Sequence, residues 1–441
     1  MLIKILQFVC ALSLLVIIHE LGHFMFAKLF KCRVEKFYLF FNPWFSLFKF
    51  KKGDTEYGIG WVPLGGYVKI SGMVDESMDT AGLKEEPKSY EFRSKPAWQR
   101  LLIMLGGVLM NVVLAIAIYT GLSMAYGDNY FATKDVNAAY GFEFSQFAQE
   151  IGFQNGDKIL RVDGEEVENS GNLLKQIVFN QAESVEVERG GQAIEVPIYP
   201  QYISQMLNDG AFIQPFVPLI IQEVVAGGNA EAAGLSSGDR LLSLDGKPIS
   251  LGNNLIALHP GQTLSLEYQR DSAGFTQVHQ TEVTISEEGV IGIMLTPAYE
   301  IIPVSHIKYN LAQAIPAGLK RAGSEVGDYL KQLRLIFTPK TEAYKQVGGI
   351  IAIGKIFPSQ WDWYYFWQIT AMLSIMLAVL NLIPIPGLDG GHVLFVLYEM
   401  ITRRKPSDKF MEAITWIGLI MILGLLLFAN GNDVIKLFTN G

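Results

Sequence analysis

His19-Glu20-Leu21-Gly22-His23 places two imidazoles four positions apart, with a carboxylate next to the first. On a helix, positions i and i+4 share a face, so one zinc ion can take both rings. Glu20 then stands where it can take a proton from metal-activated water, which is hydrolytic chemistry. The structural alternative is a pair of core histidines salt-bridged by Glu20. The setting argues against it, because the motif lies in the apolar run 2–30, where ionisable groups are costly and mark function.

A hydrolytic zinc site needs a third protein ligand and a position left open for water. The run Asn381-Leu382-Ile383-Pro384-Ile385-Pro386-Gly387-Leu388-Asp389-Gly390-Gly391-His392 interrupts a hydrophobic segment with two prolines and three glycines. Breaks of this kind free backbone groups and line cavities in membrane proteins. Asp389 is its one carboxylate, and His392 competes, since imidazole suits zinc equally well. Spacing within the broken loop ranks Asp389 ahead without removing His392. His259, His279 and His306 fall in a polar region and read as ordinary surface or core histidines.

The elements that must hold these residues are membrane spans. Half of the 441 residues are hydrophobic, yet a long middle stretch is polar and acidic. Four segments are long enough to cross a bilayer: Leu2 to Phe30, Leu101 to Leu122, Trp363 to Ile383 and Ala413 to Ala429. The first run lacks a cleavage pattern and reads as a retained helix rather than a signal peptide. Lys28 to Arg100 holds 13 Lys and Arg against 9 Asp and Glu, whereas Asp128 to Glu300 holds 8 against 24. Positive charge marks the cytoplasmic side, so the acidic middle and both ends are expected outside. The two half-sites then both fall toward the cytoplasmic half of their spans. Cys10 and Cys32 would sit roughly 33 Å apart along a helix, too far for a disulfide. With a net charge of −8 and no recognisable basic motif, nothing suggests nucleic acid, and no such partner is expected.

Residues 34–70 read as short strands broken at Asn42-Pro43, Lys52-Gly53-Asp54 and Pro63-Leu64-Gly65-Gly66. They are very apolar for a cytoplasmic loop, and form either a small hairpin domain or a sheet re-entering the membrane. The acidic middle contains a repeat: Gly152 to Leu160 recurs as Gly234 to Leu242, and Asp163-Gly164 as Asp245-Gly246, both at an offset of 82. A period of that size means a tandem pair of domains. The pair resembles PDZ domains, which bind extended peptides by strand addition. His306 to Phe337 reads as a basic amphipathic helix interrupted at Pro316, lying on the membrane surface or packing as a linker.

Together these features resemble the site-2 protease family of intramembrane zinc metalloproteases, in its bacterial envelope-stress branch. The likeness rests on His19 to His23, the Asn381 to Gly390 motif, Pro63-Leu64-Gly65-Gly66-Tyr67-Val68-Lys69, and the tandem repeat between spans two and three. It implies a multi-pass α-helical membrane protein with four spans, a membrane re-entrant β region and two inserted external PDZ-like α/β domains. The expected boundaries are a first span at 1–30, a cytoplasmic-side loop at 31–98 and a second span at 99–124. PDZ-like domains follow at 125–212 and 213–300, with a surface helix and connection at 301–360. A broken third span at 361–400, a loop at 401–412, a fourth span at 413–430 and an external tail at 431–441 complete the chain.

The same resemblance implies Zn2+ held by His19, His23 and Asp389, with Glu20 as general base. Asn381 would hold the substrate backbone, and the strand Gly58, Ile59, Gly60 and Trp61 would offer a sheet edge to it. Substrates would be pre-trimmed single-pass membrane proteins, among them anti-sigma factors, and remnant signal peptides, with the PDZ pair as size filter or sensor. The setting would be the bilayer of a bacterial inner membrane, with the PDZ-like pair in the periplasm and the protein a monomer. Two positions depart from the family pattern, which has Gly-Pro where this chain has Gly107-Val108 and Gly349-Ile350. Two other classes compete: a membrane-anchored PDZ scaffold with a silent metal site, and an ion transporter. The scarcity of polar residues in the spans counts against the transporter.

Overall fold

A computed structural model describes residues 2–73, 86–252, 255–272 and 275–439. Residues 74–85 of the loop expected over 31–98 lie outside this set, as do Met1 and the last two residues of the expected tail. The chain divides into two compact units. One comprises Met1–Gly127, Lys308–Arg334 and Val347–Gly441; the other comprises Asp128–Ile307 and Leu335–Gln346.

The first unit is helical. Helix α1 (Leu2–Leu29) and α2 (Ala97–Tyr126) run 28 and 30 residues, roughly 42–45 Å at ~1.5 Å per residue, which exceeds the ~30 Å hydrocarbon core. Four helical stretches among the described residues are long and apolar enough to span: Leu2–Leu29, Ala97–Tyr126, Trp363–Leu382 and Ala413–Ile435. α2 is the central element, and α1 packs along it through small residues. A Cβ on Gly22 would fall on the Gly106 carbonyl, so that crossing admits only glycine.

Helix α3 (Leu311–Ile336) starts later than the sequence suggests and runs through Pro316 without a break. Pro316 is the sixth helical residue, so it removes one i to i−4 hydrogen bond, at the carbonyl of Ala312, without ending the helix. His306 belongs instead to a strand, Val304–Ile307, paired with Asp128–Phe131. One face of α3 packs on α2, with Ala322 buried against Ala115, Tyr119 and Leu122 and the Arg321 guanidinium 4.8 Å above the Tyr119 ring.

Helix α4 (Trp363–Leu382) also packs on α2 and ends where the prolines require. Ile383, ahead of Pro384, takes the extended conformation that a following proline favours, with φ −61° and ψ 136°. The chain turns at Gly387 (φ +91°) and resumes as α5 (Asp389–Thr402), so Asp389 opens a helix. A partly buried ion pair, Arg100 Nη2 to Glu399 Oε1 at 2.6 Å, ties α5 to α2. The last helix, α6 (Asp408–Thr439), continues through the stretch read as an external tail. Its polar end is not loose: Asn430 Oδ1 accepts from Ile350 N at 3.2 Å and Asp433 Oδ2 from Ala352 N at 2.9 Å.

Between α1 and α2 lies a four-stranded sheet of β1 (Val34–Phe41), β2 (Phe48–Lys52), β3 (Thr55–Ile59) and β4 (Val62–Ile70), in the order β2-β3-β1-β4. β1 runs parallel to β3 and antiparallel to β4. Two corrections follow. Pro63 to Gly66 is not a turn but part of β4, an edge strand, where a proline's missing N–H leaves no partner unsatisfied. Gly58 and Ile59 are not on an edge, because β3 is paired on both sides; Gly60 N and Trp61 N donate to Leu39 O and Phe41 O at 2.8 and 3.1 Å. The tip of the sheet exposes Trp44 (90%), with Phe45, Leu47 and Phe48 beside it.

The second unit holds the repeat as two cores. One gathers Phe142, Phe153, Ile159, Val185 and Val187; the other gathers Leu219, Leu235, Leu241, Leu266 and Val283. Ile213–Pro215 pairs with Phe142–Phe144, which assigns that strand to the first core and moves the division past residue 215. Its counterpart Ile293–Leu295 pairs with Leu219–Val224 in the second.

The repeated Gly-Asp motif has a structural cause. Asp157 and Asp239 are each 1% exposed. Arg189 Nε and Nη2 donate to the two Asp157 oxygens at 2.7 Å, and Nη2 also donates to Gly152 O at 2.8 Å. Arg270 repeats the arrangement on Asp239 and Gly234 with the same distances. The carboxylates also accept from the turn amides of Gln154 and Ser236 at 2.9 and 2.8 Å. Each arginine therefore fastens the repeat's turn to its central strands through a bidentate pair. Arg270→Met should destabilise this unit by about 3–5 kcal/mol by stranding a buried carboxylate. Adding Asp239→Asn should recover part of that loss, read by urea unfolding coupled to limited proteolysis.

Candidate metal centre

Helix periodicity puts His19 and His23 on one face of α1, and the rings meet edge to face with centroids 4.8 Å apart. Their Nε2 atoms are 3.2 Å from each other. Asp389 Oδ2 approaches from the first turn of α5, 3.1 Å from His19 Nε2 and 3.3 Å from His23 Nε2. A tetrahedral zinc ion with Zn–N and Zn–O bonds of about 2.0–2.1 Å requires donor atoms about 3.3–3.4 Å apart, so these three fit one face of its coordination shell. The carboxylate oxygen is buried and makes no well-directed hydrogen bond despite its two close nitrogens. Three electron-pair donors facing one point is the geometry of a cation site. Among the described residues, this is the one group of three that could hold a metal.

His392, the competing ligand, is not part of that group but lines the same cavity. It stands three residues beyond Asp389 on α5, so the rotation of that helix decides which of the two reaches the imidazoles. The cavity measures about 580 Å³ and is bounded by Glu20, Asn381, His392 and the β4 segment Tyr67 to Ile70. Glu20, next to His19 in sequence, thus opens onto the same space as the ligand cluster. Asn381 Nδ2 lies 3.3 Å from His19 Nε2, at the last turn of α4.

Gly58, Ile59, Gly60 and Trp61 do not line the cavity. The missing side chain of Gly58 makes room for the Tyr38 ring, whose hydroxyl donates to Glu56 Oε1 at 2.7 Å. The sheet edge at the cavity is β4, paired on one side with β1 and, among the described residues, with no strand on the other. Gly66 brings this strand close to α1, since a Cβ there would lie 2.7 Å from Val16 Cγ1 and 3.7 Å from Glu20 Cγ.

Helix α2 supplies parts of the centre that the motifs do not show. His23 Nδ1 is 2.8 Å from the Ile103 carbonyl oxygen, which fixes the proton on Nδ1 and leaves Nε2 free for a metal. One turn on, a Cβ at Gly107 would lie 2.5 Å from His23 Nε2 and 2.7 Å from His19 Nδ1, so the imidazoles occupy the space of a side chain. Asn111, a further turn along, reaches His19 Nδ1 at 3.3 Å. The signal for this face was the i, i+4, i+8 spacing of 103, 107 and 111 in the apolar run 101–122, which bears one amide.

Comparison with known proteins agrees with this picture. The profile of "Peptidase family M50" matches residues 7–425. A "Putative zinc metalloprotease" of Neisseria meningitidis is 30% identical over 98% of this chain and 99% of its own length. One of the same name from Clostridium perfringens is 27% identical over 96% of both. The "Regulator of sigma E protease" of Haemophilus influenzae is 26% identical over 98% of both. With this match over almost its entire length, a buried cluster of zinc-type ligands and four helices able to span a bilayer, the chain belongs to peptidase family M50 and is a zinc metalloendopeptidase of the membrane.

Proposed function

We propose that His19, His23 and Asp389 hold the zinc ion, that Glu20 is the general base, and that the protein cleaves peptide bonds within membrane-spanning segments. The observation that carries this reading is the convergence of three donor atoms at the wall of a cavity shared with Glu20 and with strand β4. The chemistry supplied by bound zinc is Lewis acidity toward water and the scissile carbonyl. The protein's own part is to hold the water's proton acceptor, Glu20, on the same helix as two of the ligands. Asn381 holds the substrate backbone from the end of α4.

A helical substrate has its carbonyls engaged, so it must be extended before attack. Strand β4, which among the described residues has a strand beside it on one side only, supports a place for that extended segment by strand addition. This replaces the Gly58 to Trp61 strand as the pairing edge. The substrates are single-pass proteins already trimmed on the outside, of the anti-sigma-factor class, and remnant signal peptides. The tandem repeat acts as a pair of PDZ-like modules that screen substrates by size in the periplasm. The exposed apolar tip around Trp44 supports a sheet that re-enters the inner membrane.

Purified protein in detergent should cleave a synthetic membrane-spanning peptide, and a chelator should abolish cleavage. Glu20→Gln should lower the rate by about 10²–10⁴-fold with zinc content retained, the range for loss of a general base. Cleavage that survives both treatments overturns the proposal. Strand addition has its own signature. N-methylation of successive substrate residues should reduce kcat/KM by about 10–100-fold at alternate positions only, because strand hydrogen bonds recur every second residue. A uniform response along the peptide would remove β4 from the reaction.

A further inference from the structure

We infer that Asn111 is the positioning residue of His19, accepting a hydrogen bond from its Nδ1–H and so directing Nε2 to the metal. The inference rests on the reading that His19 is a zinc ligand through Nε2. If Nε2 carries the metal, Nδ1 carries the proton and needs an acceptor, as ligating histidines almost always have. For His23 that acceptor is the Ile103 carbonyl at 2.8 Å. For His19 the group at Nδ1 is the Asn111 side chain at 3.3 Å.

As placed, the amide directs Nδ2 at Nδ1, which would set two N–H donors against each other. Its Oδ1 is meanwhile buried with no hydrogen-bond partner, and Asn111 is 0% exposed. Amide oxygen and nitrogen are assigned from their surroundings rather than seen. Turning the amide by 180° brings Oδ1 to Nδ1–H as its acceptor, so that the two donors no longer oppose each other. A buried amide in an apolar helix is costly unless satisfied, and this is the satisfaction the site offers.

The backbone around Asn111 is also fixed. Ser374 Oγ donates to the Asn111 carbonyl at 2.8 Å, tying α4 to α2 at this residue. Ile103, Gly107 and Asn111 thus form one face of α2 that reads the two histidines of α1. The first supplies a backbone acceptor, the second supplies space and the third a side-chain acceptor.

The test compares Asn111→Leu, similar in size but lacking an acceptor, with Asn111→Asp, which keeps one. Zinc affinity is measured by chelator competition, and the visible spectrum of the cobalt-substituted protein reports ligand geometry. Asn111→Leu should weaken zinc binding by about 10–100-fold and alter the cobalt bands, whereas Asn111→Asp should stay within about tenfold of wild type or bind more tightly. Equal behaviour of the two variants, or weaker binding by Asp than by Leu, overturns the inference. His19→Ala is the separate control: unchanged affinity there would refute His19 as a ligand, not merely the role of Asn111. Should Asn111→Leu fail to fold, Asn111→Ala against Asn111→Asp makes the same comparison.

Discussion

The close crossing of α1 on α2 governs the rest of the membrane unit. Gly22 meets the backbone of Gly106 there, leaving no room for a side chain on Gly22. That approach brings the Ile103 carbonyl and the Asn111 amide within hydrogen-bonding reach of the two histidines. A side chain at Gly22 would push the helices apart, and both contacts would open together. The imidazoles fill the space left by Gly107, so the site is built into the helix interface. Such packing is a general solution in lipid, where small residues let helices approach and polar groups must find partners within the protein.

Asp389 reaches the two histidines through the opposite device, a helix that is broken. Pro384 and Pro386 end α4, and the chain turns at Gly387 before Asp389 begins α5. The close contacts of Gly390 and Gly391 with the carbonyls of Ile383 and Ile385 seat the new helix against the break. Arg100 and Glu399 hold its far end to α2. A continuous helix would have carried Asp389 about 10 Å further along its axis, at roughly 1.5 Å for each of the residues in the break. Strand β4 borders the same cavity, with a strand on one side only among the described residues.

The second unit obeys a different constraint, that of a duplicated module. Its repeated Gly-Asp turn is held by a buried carboxylate and a bidentate arginine in both copies. The glycine and aspartate are close in sequence, so their recurrence at a fixed offset was readable. Their partners, Arg189 and Arg270, lie 32 and 31 residues downstream, where strand pairing decides contact.

What the sequence by itself determined were the features set by local physics. Four apolar runs, the i, i+4 pairing of His19 and His23, the proline-broken segment around Asp389 and the tandem repeat all follow from spacing along the chain. Only the tertiary structure decided the rest. Asp389 and His392 differ by three positions on one helix, and the seating of α5 selects between them. Strand order was not legible either, because β3 crosses to lie parallel with β1. That non-local pairing places Gly58 in the interior and leaves β4 at the edge. Asn111 is a lone amide in an apolar run, and only the packing of α1 against α2 gives it His19 as a neighbour. A side chain's partner is set by packing between helices distant in sequence, and spacing within one helix reveals only the face on which the partner will be found.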